Sequence, residues 1–177
     1  MPHHYYIDTD YLYSYIFIRD SSLKRLLSKN NMEYEIARCE NFKNILFNKN
    51  KEIFIKIPFI VFGELFNNIN SYNKTLDESN IRYINKELFS LFEMNNVDSI
   101  PPNEKCYKIA NQILESDSRF DPTDALIVSQ ALVDKNSKYM ATFDNTITNS
   151  FGGGIIAKIN DNMCSNNERN KKLKIYE

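Results

Sequence analysis

Acidic residues follow apolar segments at several points along this chain of 177 residues. Asp8 and Asp10 come directly after the apolar stretch 5–7, and Asp144 comes directly after the stretch 138–143. The carboxyl ends of parallel strands meet at one edge of an α/β sheet, where such sheets bind ligands. Carboxylates gathered there repel one another unless a cation such as Mg²⁺ or Mn²⁺ neutralises them, and both ions prefer oxygen ligands. The pattern therefore predicts an acidic metal site.

Two further acids lie inside apolar segments that favour helices. Glu64 interrupts the stretch 58–66, which leaves only a narrow face for a solvent-exposed carboxylate. Asp124 directly precedes the apolar run 125–128, on a helix that must pack into the core, and this favours a chemical role. Asp121 stands before a proline, where aspartate commonly caps a helix, so capping is its simpler role. We therefore place Glu64 and Asp124 in the candidate site and keep Asp121 as a supporting residue.

Each of these acids also has an ordinary structural explanation. Asp8 or Asp10 could cap the helix that follows the first strand, and Asp144 could form a turn with the residues after it. We nevertheless favour a chemical role for the acids as a set, because each of them lies beside or inside an apolar segment.

Apolar periodicity predicts strands and helices in alternation along the chain. The predicted strands are 5–7, 53–57, 97–100, 139–143 and 155–159, and the predicted helices are 11–18, 23–29, 32–47, 58–70, 75–95, 104–115 and 122–134. Strands separated by helices imply a parallel α/β sheet flanked by helices. We expect a single domain over residues 1–160, with a helical arm at about 20–50 and a polar C-terminal extension at 161–177.

Composition narrows the class of protein. Hydrophobic residues at 42% and charged residues at 25% are typical of a globular domain. The net charge of -1 offers no global attraction for a polyanion, so nucleic-acid binding must use a local patch. Two basic clusters are candidates, although solvent-exposed side chains explain both of them: Lys24, Arg25 and Lys29 in one, and Lys171, Lys172 and Lys174 in the other.

Cysteine usage and hydropathy predict a cytoplasmic protein. The three cysteines are far apart and form no CxxC pair, so neither a disulfide framework nor a zinc site is indicated. The longest apolar stretch, 53–62, is broken by Lys56 and Pro58 and is shorter than the roughly 18 residues of a membrane span. The first strand begins so early that we expect no signal peptide before it.

The order of the acidic motifs resembles that of PIN-domain nucleases, a family that includes VapC-like proteins and archaeal stand-alone PIN ribonucleases. The resemblance runs from about residue 5 to residue 147, and it rests on Ile7-Asp-Thr-Asp10, on Glu64 in Phe-Gly-Glu-Leu, on Asp124-Ala-Leu-Ile127 and on Ala141-Thr-Phe-Asp144. It implies a Rossmann-like, three-layer α/β/α sandwich with a central, mainly parallel sheet. The arm at 20–50 and the extension after Asp144 depart from compact members.

The resemblance also implies a ribonuclease that hydrolyses RNA phosphodiester bonds with Mg²⁺ or Mn²⁺. The family's catalytic and metal-binding quartet falls on Asp8, Glu64, Asp124 and Asp144. Thr142 matches a hydroxyl residue that supports the site. Asp10 stands where many members have Asn or Ser, so it either joins the metal ligands or caps a helix.

Partners and rival functions remain open at the level of sequence. The substrate implied is RNA; a toxin-type nuclease would be covered by an antitoxin-type protein, and homodimers are common in the family. One rival is a non-catalytic PIN-like module that binds RNA or a protein. Another is a haloacid-dehalogenase-type phosphatase, because its nucleophile also sits in an Asp-x-Asp after a strand, as in Asp8-Thr-Asp10. The phosphatase reaction needs a lysine at the end of a strand, and Glu64 would have no role in it.

Overall fold

A computed structural model describes residues 3–26, 32–46, 52–71 and 76–176 of the chain. Within these ranges the chain forms five strands: β1 (His3–Ile7), β2 (Ile53–Pro58), β3 (Val97–Ile100), β4 (Ser137–Ala141) and β5 (Lys174–Ile175). The same ranges contain eight α-helices: α1 (Thr9–Phe17), α2 (Met32–Leu46), α3 (Phe59–Ser71), α4 (Glu78–Phe92), α5 (Glu104–Ser116), α6 (Pro122–Val133), α7 (Asn145–Gly153) and α8 (Ile155–Ser165).

The strands form one sheet in the order β3-β2-β1-β4-β5, and all four neighbouring pairs are parallel. From β1 the chain builds outward through β2 to β3, and it then returns to the other side of β1 to add β4 and β5. The order therefore reverses between β1 and β4, which is where open α/β sheets bind ligands at their carboxyl edge. The predicted α/β class with a parallel sheet flanked by helices is confirmed.

The core explains why these segments fold as they do. Tyr5, Tyr6 and Ile7 of β1 are all buried, as expected for a central parallel strand that is covered on both faces. The helix α6 is likewise buried along most of its length, including Asp124's neighbour Ala125. A helix apolar on all sides belongs inside a protein, so α6 brings its first turn into the interior.

The predicted helical arm is confirmed in part. Asp20 Oδ1 accepts hydrogen bonds from the backbone N–H groups of Ser22 (2.8 Å) and Leu23 (3.0 Å), and a short 3₁₀ helix follows at Lys24–Leu26. The rest of the predicted helix 23–29 lies outside the described residues. In α2, Arg38, Cys39 and Phe42 are buried, so this part of the arm packs onto the core.

The C-terminal part of the chain differs from the prediction. The predicted strand 155–159 is wrong, because these residues begin α8, which buries Ile156, Ile159 and Met163 at helical spacing. The fifth strand is instead Lys174–Ile175, within the segment predicted as a polar extension. Its buried neighbours Leu173 and Tyr176 pack into the core, so the described part of 161–177 is not a loose tail.

Two further findings concern membrane-spanning helices and the cysteines. Among the described residues, no helix combines the length and the apolar character that crossing a membrane requires. Cys39, Cys106 and Cys164 are all free thiols.

Candidate acidic site

Asp8 lies at the end of β1 and begins α1. Its side chain accepts a hydrogen bond from the backbone N–H of Thr9 at 2.7 Å, which makes it the helix cap, and its own backbone N–H donates to the carbonyl of Ala141 at 3.0 Å. Only 3% of Asp8 is exposed. The carboxylate is therefore buried where the ends of β1 and β4 meet.

Thr142 ties the ends of these two strands together through its hydroxyl group. It donates to Asp8 Oδ2 at 2.6 Å, and it accepts from the backbone N–H of Asp144 at 3.0 Å. Asp144 in turn caps α7, with Oδ1 accepting from the N–H of Ile147 at 2.9 Å. One buried hydroxyl thus fixes both Asp8 and the turn that carries Asp144.

Glu64 reaches the same edge from the middle of α3, the helix that follows β2. The hydroxyl of Thr9 donates a hydrogen bond to Glu64 Oε2. The side chain of Thr123 lies near enough to Glu64 to oppose the rise in the pKa of its carboxyl group. Because Thr9 directly follows Asp8 and Thr123 directly precedes Asp124, these two contacts connect α3 to both neighbouring acids. Glu64 is half-buried, in agreement with the narrow polar face that the sequence predicts.

Asp121 and Asp124 occupy the first turn of α6. Asp121 is exposed, and its Oδ1 accepts from the backbone N–H groups of Thr123 (2.8 Å) and Asp124 (2.9 Å). Capping therefore accounts for Asp121, as its place before Pro122 predicts. Asp124 is half-buried at the third helical position, where its carboxylate lies toward the other acids.

Asp10 is on the first turn of α1 and is exposed, at the mouth of the site. It does not cap α1, because Asp8 holds that role. Partial desolvation, followed by repulsion from Asp144, raises the pKa of Asp10. It is therefore close enough to the other acids to interact with them, although no hydrogen bond among the described residues fixes it.

The electrostatic coupling of the acids shows that they share one region. Burial, together with repulsion from Asp10 and Glu64, raises the pKa of Asp8 to about 7. Burial is also the largest cause for Asp124, whose pKa is raised to about 8, and the remaining causes include repulsion from Asp8 and Asp144. The pKa of Glu64 is raised as well, chiefly by burial and then by nearby carboxylates, against the opposing effect of the Thr9 hydrogen bond.

No Lys or Arg in the described ranges forms an ion pair with any of these acids. The nearest buried cation is Arg38 on α2, which donates to the carbonyl oxygens of Thr142 (3.3 Å) and Tyr176 and stacks over Phe143 with 5.0 Å between the guanidinium carbon and the ring centre. Arg38 therefore supports the backbone behind the site. The carboxylates themselves remain uncompensated.

The donor chemistry of the site fits a hard divalent cation. Carboxylate oxygens around one partly buried edge are the ligands that Mg²⁺ and Mn²⁺ prefer, and uncompensated charge favours cation binding. Within the described part of the chain, however, no three acidic, histidine or cysteine side chains converge closely enough to form a ready-made metal site. The acids surround the edge without meeting at one point.

Sequence reasoning identified the acids and Thr142, but it missed the two threonines that hold Glu64. Thr9 and Thr123 each directly adjoin an acid of the site; the hydroxyl of Thr9 donates to Glu64, and the side chain of Thr123 affects the pKa of Glu64. Adjacency to Asp8 and Asp124 was the available signal. Arg38 was also missed, because nothing in the sequence of the arm indicates that its guanidinium group reaches β4.

Comparison with known proteins shows a relationship of fold. No protein-family model matches the sequence, and neither does any curated protein sequence. Among solved structures, the chain is similar to a chain in the crystal structure of VapBC2 from Rickettsia felis bound to a DNA fragment from their promoter, with a TM-score of 0.54 and 16% sequence identity. The similarity covers 98% of this chain and 99% of that chain. At this identity the comparison supports the α/β sandwich over the whole length of the chain.

Proposed function

We propose that this protein is a metal-dependent ribonuclease of the PIN type, with Asp8, Glu64, Asp124 and Asp144 as its catalytic and metal-binding residues. The observation that carries the proposal is that acids without an ion-pair partner among the described residues, from four separate elements, surround the carboxyl edge where the strand order reverses. A structural protein gains nothing from burying Asp8 beside other carboxylates, since each uncompensated charge costs stability. The PIN-like order of the motifs and the fold similarity to VapBC2 support the same function.

Asp8, Asp124 and Asp144 would hold one or two Mg²⁺ or Mn²⁺ ions, with Glu64 as a further ligand or as the group that orients the attacking water. Bound Mg²⁺ or Mn²⁺ would neutralise phosphate charge and lower the pKa of a coordinated water. Thr142 and Thr9 orient Asp8 and Glu64 through the hydrogen bonds described above, so that their oxygens are held before a ligand arrives. Asp10, on the first turn of α1, and Asp121, which caps α6, would have supporting roles.

The test is cleavage of end-labelled RNA, single-stranded and structured, in Mg²⁺, Mn²⁺ or EDTA. We expect metal-dependent cleavage by the wild type, loss of it in Asp144→Asn, and little change in Asp98→Asn. Asp98 is a matched control because it lies on β3 beside Lys56, away from the acidic edge. Cleavage that persists in EDTA, or that survives in Asp144→Asn, would show the proposal to be wrong.

A second candidate function is a non-catalytic PIN-like module that binds RNA or protein. It is favoured by the absence of a ready-made metal site among the described residues. A module of this kind should show no thermal shift with Mn²⁺, whereas a metal site with micromolar affinity should gain a few kcal/mol at millimolar metal. The phosphatase alternative has less support, since no described lysine pairs with Asp8.

The proposal extends to partners and location. We propose a cytoplasmic protein with a single PIN-like domain predicted over 1–160, onto which the described residues after 160 pack. The VapBC2 comparison supports an antitoxin-type protein partner. A homodimer is supported by exposed aromatic side chains on α3 and α4, where Phe59, Phe66, Phe89 and Phe92 are 44–69% exposed. Light scattering on the purified chain should then give twice its mass of 20.8 kDa.

A further inference from the structure

A cleft of about 960 Å³ lies beside β5, apart from the residues of the acidic site. Its floor carries the partly exposed ring of Tyr139 and the largely buried rings of Tyr5 and Tyr176, so Tyr139 offers the main accessible ring face. The three rings contact one another with centroids 5.0–6.0 Å apart. The paired registers of β1, β4 and β5 explain this arrangement, because Tyr5 is opposite Tyr139 and Tyr139 is opposite Lys174. The volume is in the range of ligand-binding sites.

Four lysines lie in or beside this cleft. Lys172 and Lys174 line the cleft, and the Lys138 ammonium lies 5.1 Å from the centre of the Tyr139 ring. Lys171 adjoins them in sequence, and repulsion from Lys138 and Lys171 adds to partial burial in lowering the pKa of His3 at the start of β1. These four lysines therefore create a local positive region on a protein whose net charge is -1.

One carboxylate in the cleft already has a partner. Asp161 lies 2.5 Å from Lys172, so this pair cancels most of its own charge. Lys138, Lys171 and Lys174 have no ion-pair partner among the described residues, and their charges are left for a ligand. Gly152 and Gly153 at the wall are exposed and have no atoms near the place of a side chain, so a ligand backbone could approach closely.

The cleft adjoins the acidic site through shared elements. Arg38 donates to the carbonyl of Tyr176, on the cleft floor, and to that of Thr142, whose hydroxyl holds Asp8. Helix α7 begins at its cap Asp144 and ends at Gly153 on the cleft wall. Its nine residues span roughly 13 Å, a distance that a short stretch of a polymer can bridge.

We propose that this lysine-rimmed aromatic cleft binds a single-stranded portion of the RNA that the acidic site would cut, an inference that rests on the proposed function. A single strand presents phosphates to lysines and unpaired bases to rings, which is how proteins hold such strands without reading their sequence. A duplex hides the faces of its bases and leaves the tyrosine floor unused. The same cleft thus predicts a preference for unpaired RNA.

The test is fluorescence anisotropy of a labelled single-stranded RNA of about 12 nucleotides, titrated with the full chain in EDTA at low and at moderate KCl. The cleft variant is Lys138→Gln with Lys174→Gln, and the control variant is Lys86→Gln with Lys108→Gln, which changes the same charge on the exposed faces of α4 and α5. We expect at least a ~10-fold loss of affinity in the cleft variant and less than ~2-fold in the control. The salt dependence should fall by about 1.4 in slope, or ~0.7 per phosphate contact.

A second oligomer tests the aromatic floor without altering the protein. An abasic strand of the same length keeps the phosphates but has no bases to stack, so we expect it to bind at least ~5-fold more weakly than the RNA. Equal affinity of the two strands, equal losses in the cleft and control variants, or no RNA binding by the wild type would each overturn the inference.

Failure of the inference can be told apart from failure of the proposed function, because binding is measured without metal or cleavage. RNA cleavage that is unchanged in the cleft variant, together with unchanged binding, would remove the cleft and leave the ribonuclease. Lysine-dependent binding by a protein that never cuts RNA would support the cleft and remove the ribonuclease.

Discussion

Buried charged groups differ in their surroundings at the two ends of the strands, which we call the amino edge, where the strands begin, and the carboxyl edge, where they end. At the amino edge, Asp134 lies 2.5 Å from His4 Nδ1 and accepts a hydrogen bond from the hydroxyl of Tyr6 at 3.1 Å. The buried Arg169 donates to the carbonyl oxygens of Ala131 (2.9 Å) and Ser137 (2.7 Å), among others, at the end of α6. At the carboxyl edge, no Lys or Arg of the described ranges forms an ion pair with the acids at the ends of the same strands β1 and β4.

The difference shows which buried charges are structural. At the amino edge Asp134, Tyr6 and Arg169 each have a hydrogen-bonding partner, and the arrangement holds α6 against β4. At the carboxyl edge, hydroxyl groups and backbone amides orient the acids but leave their negative charge in place. Carboxylates that lack an opposite charge at one edge, in a protein whose buried charged groups are paired at the other edge, are typical of a functional site.

The largest effect should come from removing charge at the carboxyl edge. Under the proposed function, Asp8→Asn should lower RNA cleavage by at least ~10³-fold, or about 4 kcal/mol in the barrier, because a proposed metal ligand is lost. The metal-free variant should unfold at the same temperature as the wild type or a higher one, since repulsion is relieved. Cleavage assays and thermal unfolding in EDTA measure the two quantities. Wild-type activity in this variant would remove Asp8 from the site.

The amino edge should respond in stability. Arg169→Met leaves several buried carbonyl groups without their donor, and we expect a loss of about 3–5 kcal/mol in the free energy of unfolding. Urea denaturation measures it. The control is Arg119→Met, whose exposed side chain bonds only to Asp117 among the described residues, so its loss should change the free energy of unfolding very little. Equal losses in both variants would contradict the contrast between buried and exposed arginines.

The pH dependence of stability should distinguish the edges further. The pKa values of Asp8 and Asp124 are raised from 3.8 to about 7 and about 8, so the folded chain retains protons that the unfolded chain has released. Their stabilising effect is complete below the unfolded pKa and is lost as the pH rises through 7 and 8. In EDTA, the unfolding temperature should therefore fall by several degrees between pH 5.5 and 8.5, with the contribution of the half-buried Asp124 reduced by solvent screening.

Two comparisons make this pH experiment specific. Asp124→Asn removes one of the titrating groups and should flatten the fall, while Asp98→Asn should leave it unchanged. Millimolar Mn²⁺ should also remove the fall, because a bound cation favours the charged carboxylates. A wild-type unfolding temperature that rises over this range in EDTA would show that the acids are not coupled as described.

The smallest effect should come from the hydroxyl that positions Glu64. Thr9→Val keeps the shape of the side chain but removes the donor to Glu64, and we expect a ~10-fold loss of cleavage, about 1.4 kcal/mol, with little change in metal-free stability. Thr146→Val on α7 is the matched control. An equal loss of RNA cleavage in Thr9→Val and Thr146→Val would show that the hydroxyl of Thr9 has no special role.

The sequence predicted the place of a site residue best where that residue lies directly beside a single strand or helix. Asp8, Asp124 and Asp144 each adjoin an apolar strand or helix, so their meeting at one edge follows from the topology of a parallel sheet. The threonine contacts to Glu64 depend on how α3 packs against α1 and α6, and no local pattern encodes that packing. The partners of Arg169 were hidden for the same reason.

The C-terminal part of the chain shows a different cause of error. Residues 155–159 have the β-branched content of a strand, but their burial continues at helical spacing to Met163, beyond the window that suggested a strand. The strand β5 has only two residues, which is too short for any alternation to appear. Its place beside β4 depends on Leu173 and Tyr176, whose burial is a tertiary effect.

The acids that begin helices have a consequence for how such a chain can change over time. Asp8 and Asp144 each cap a helix through one carboxylate oxygen, and asparagine is as good a cap as aspartate. A single-base change in a codon could therefore exchange acid for amide at these positions while α1 and α7 keep their starts. If the proposed function is correct, catalysis could be lost or regained along such a lineage with little penalty in folding, and an inactive descendant would keep the same architecture.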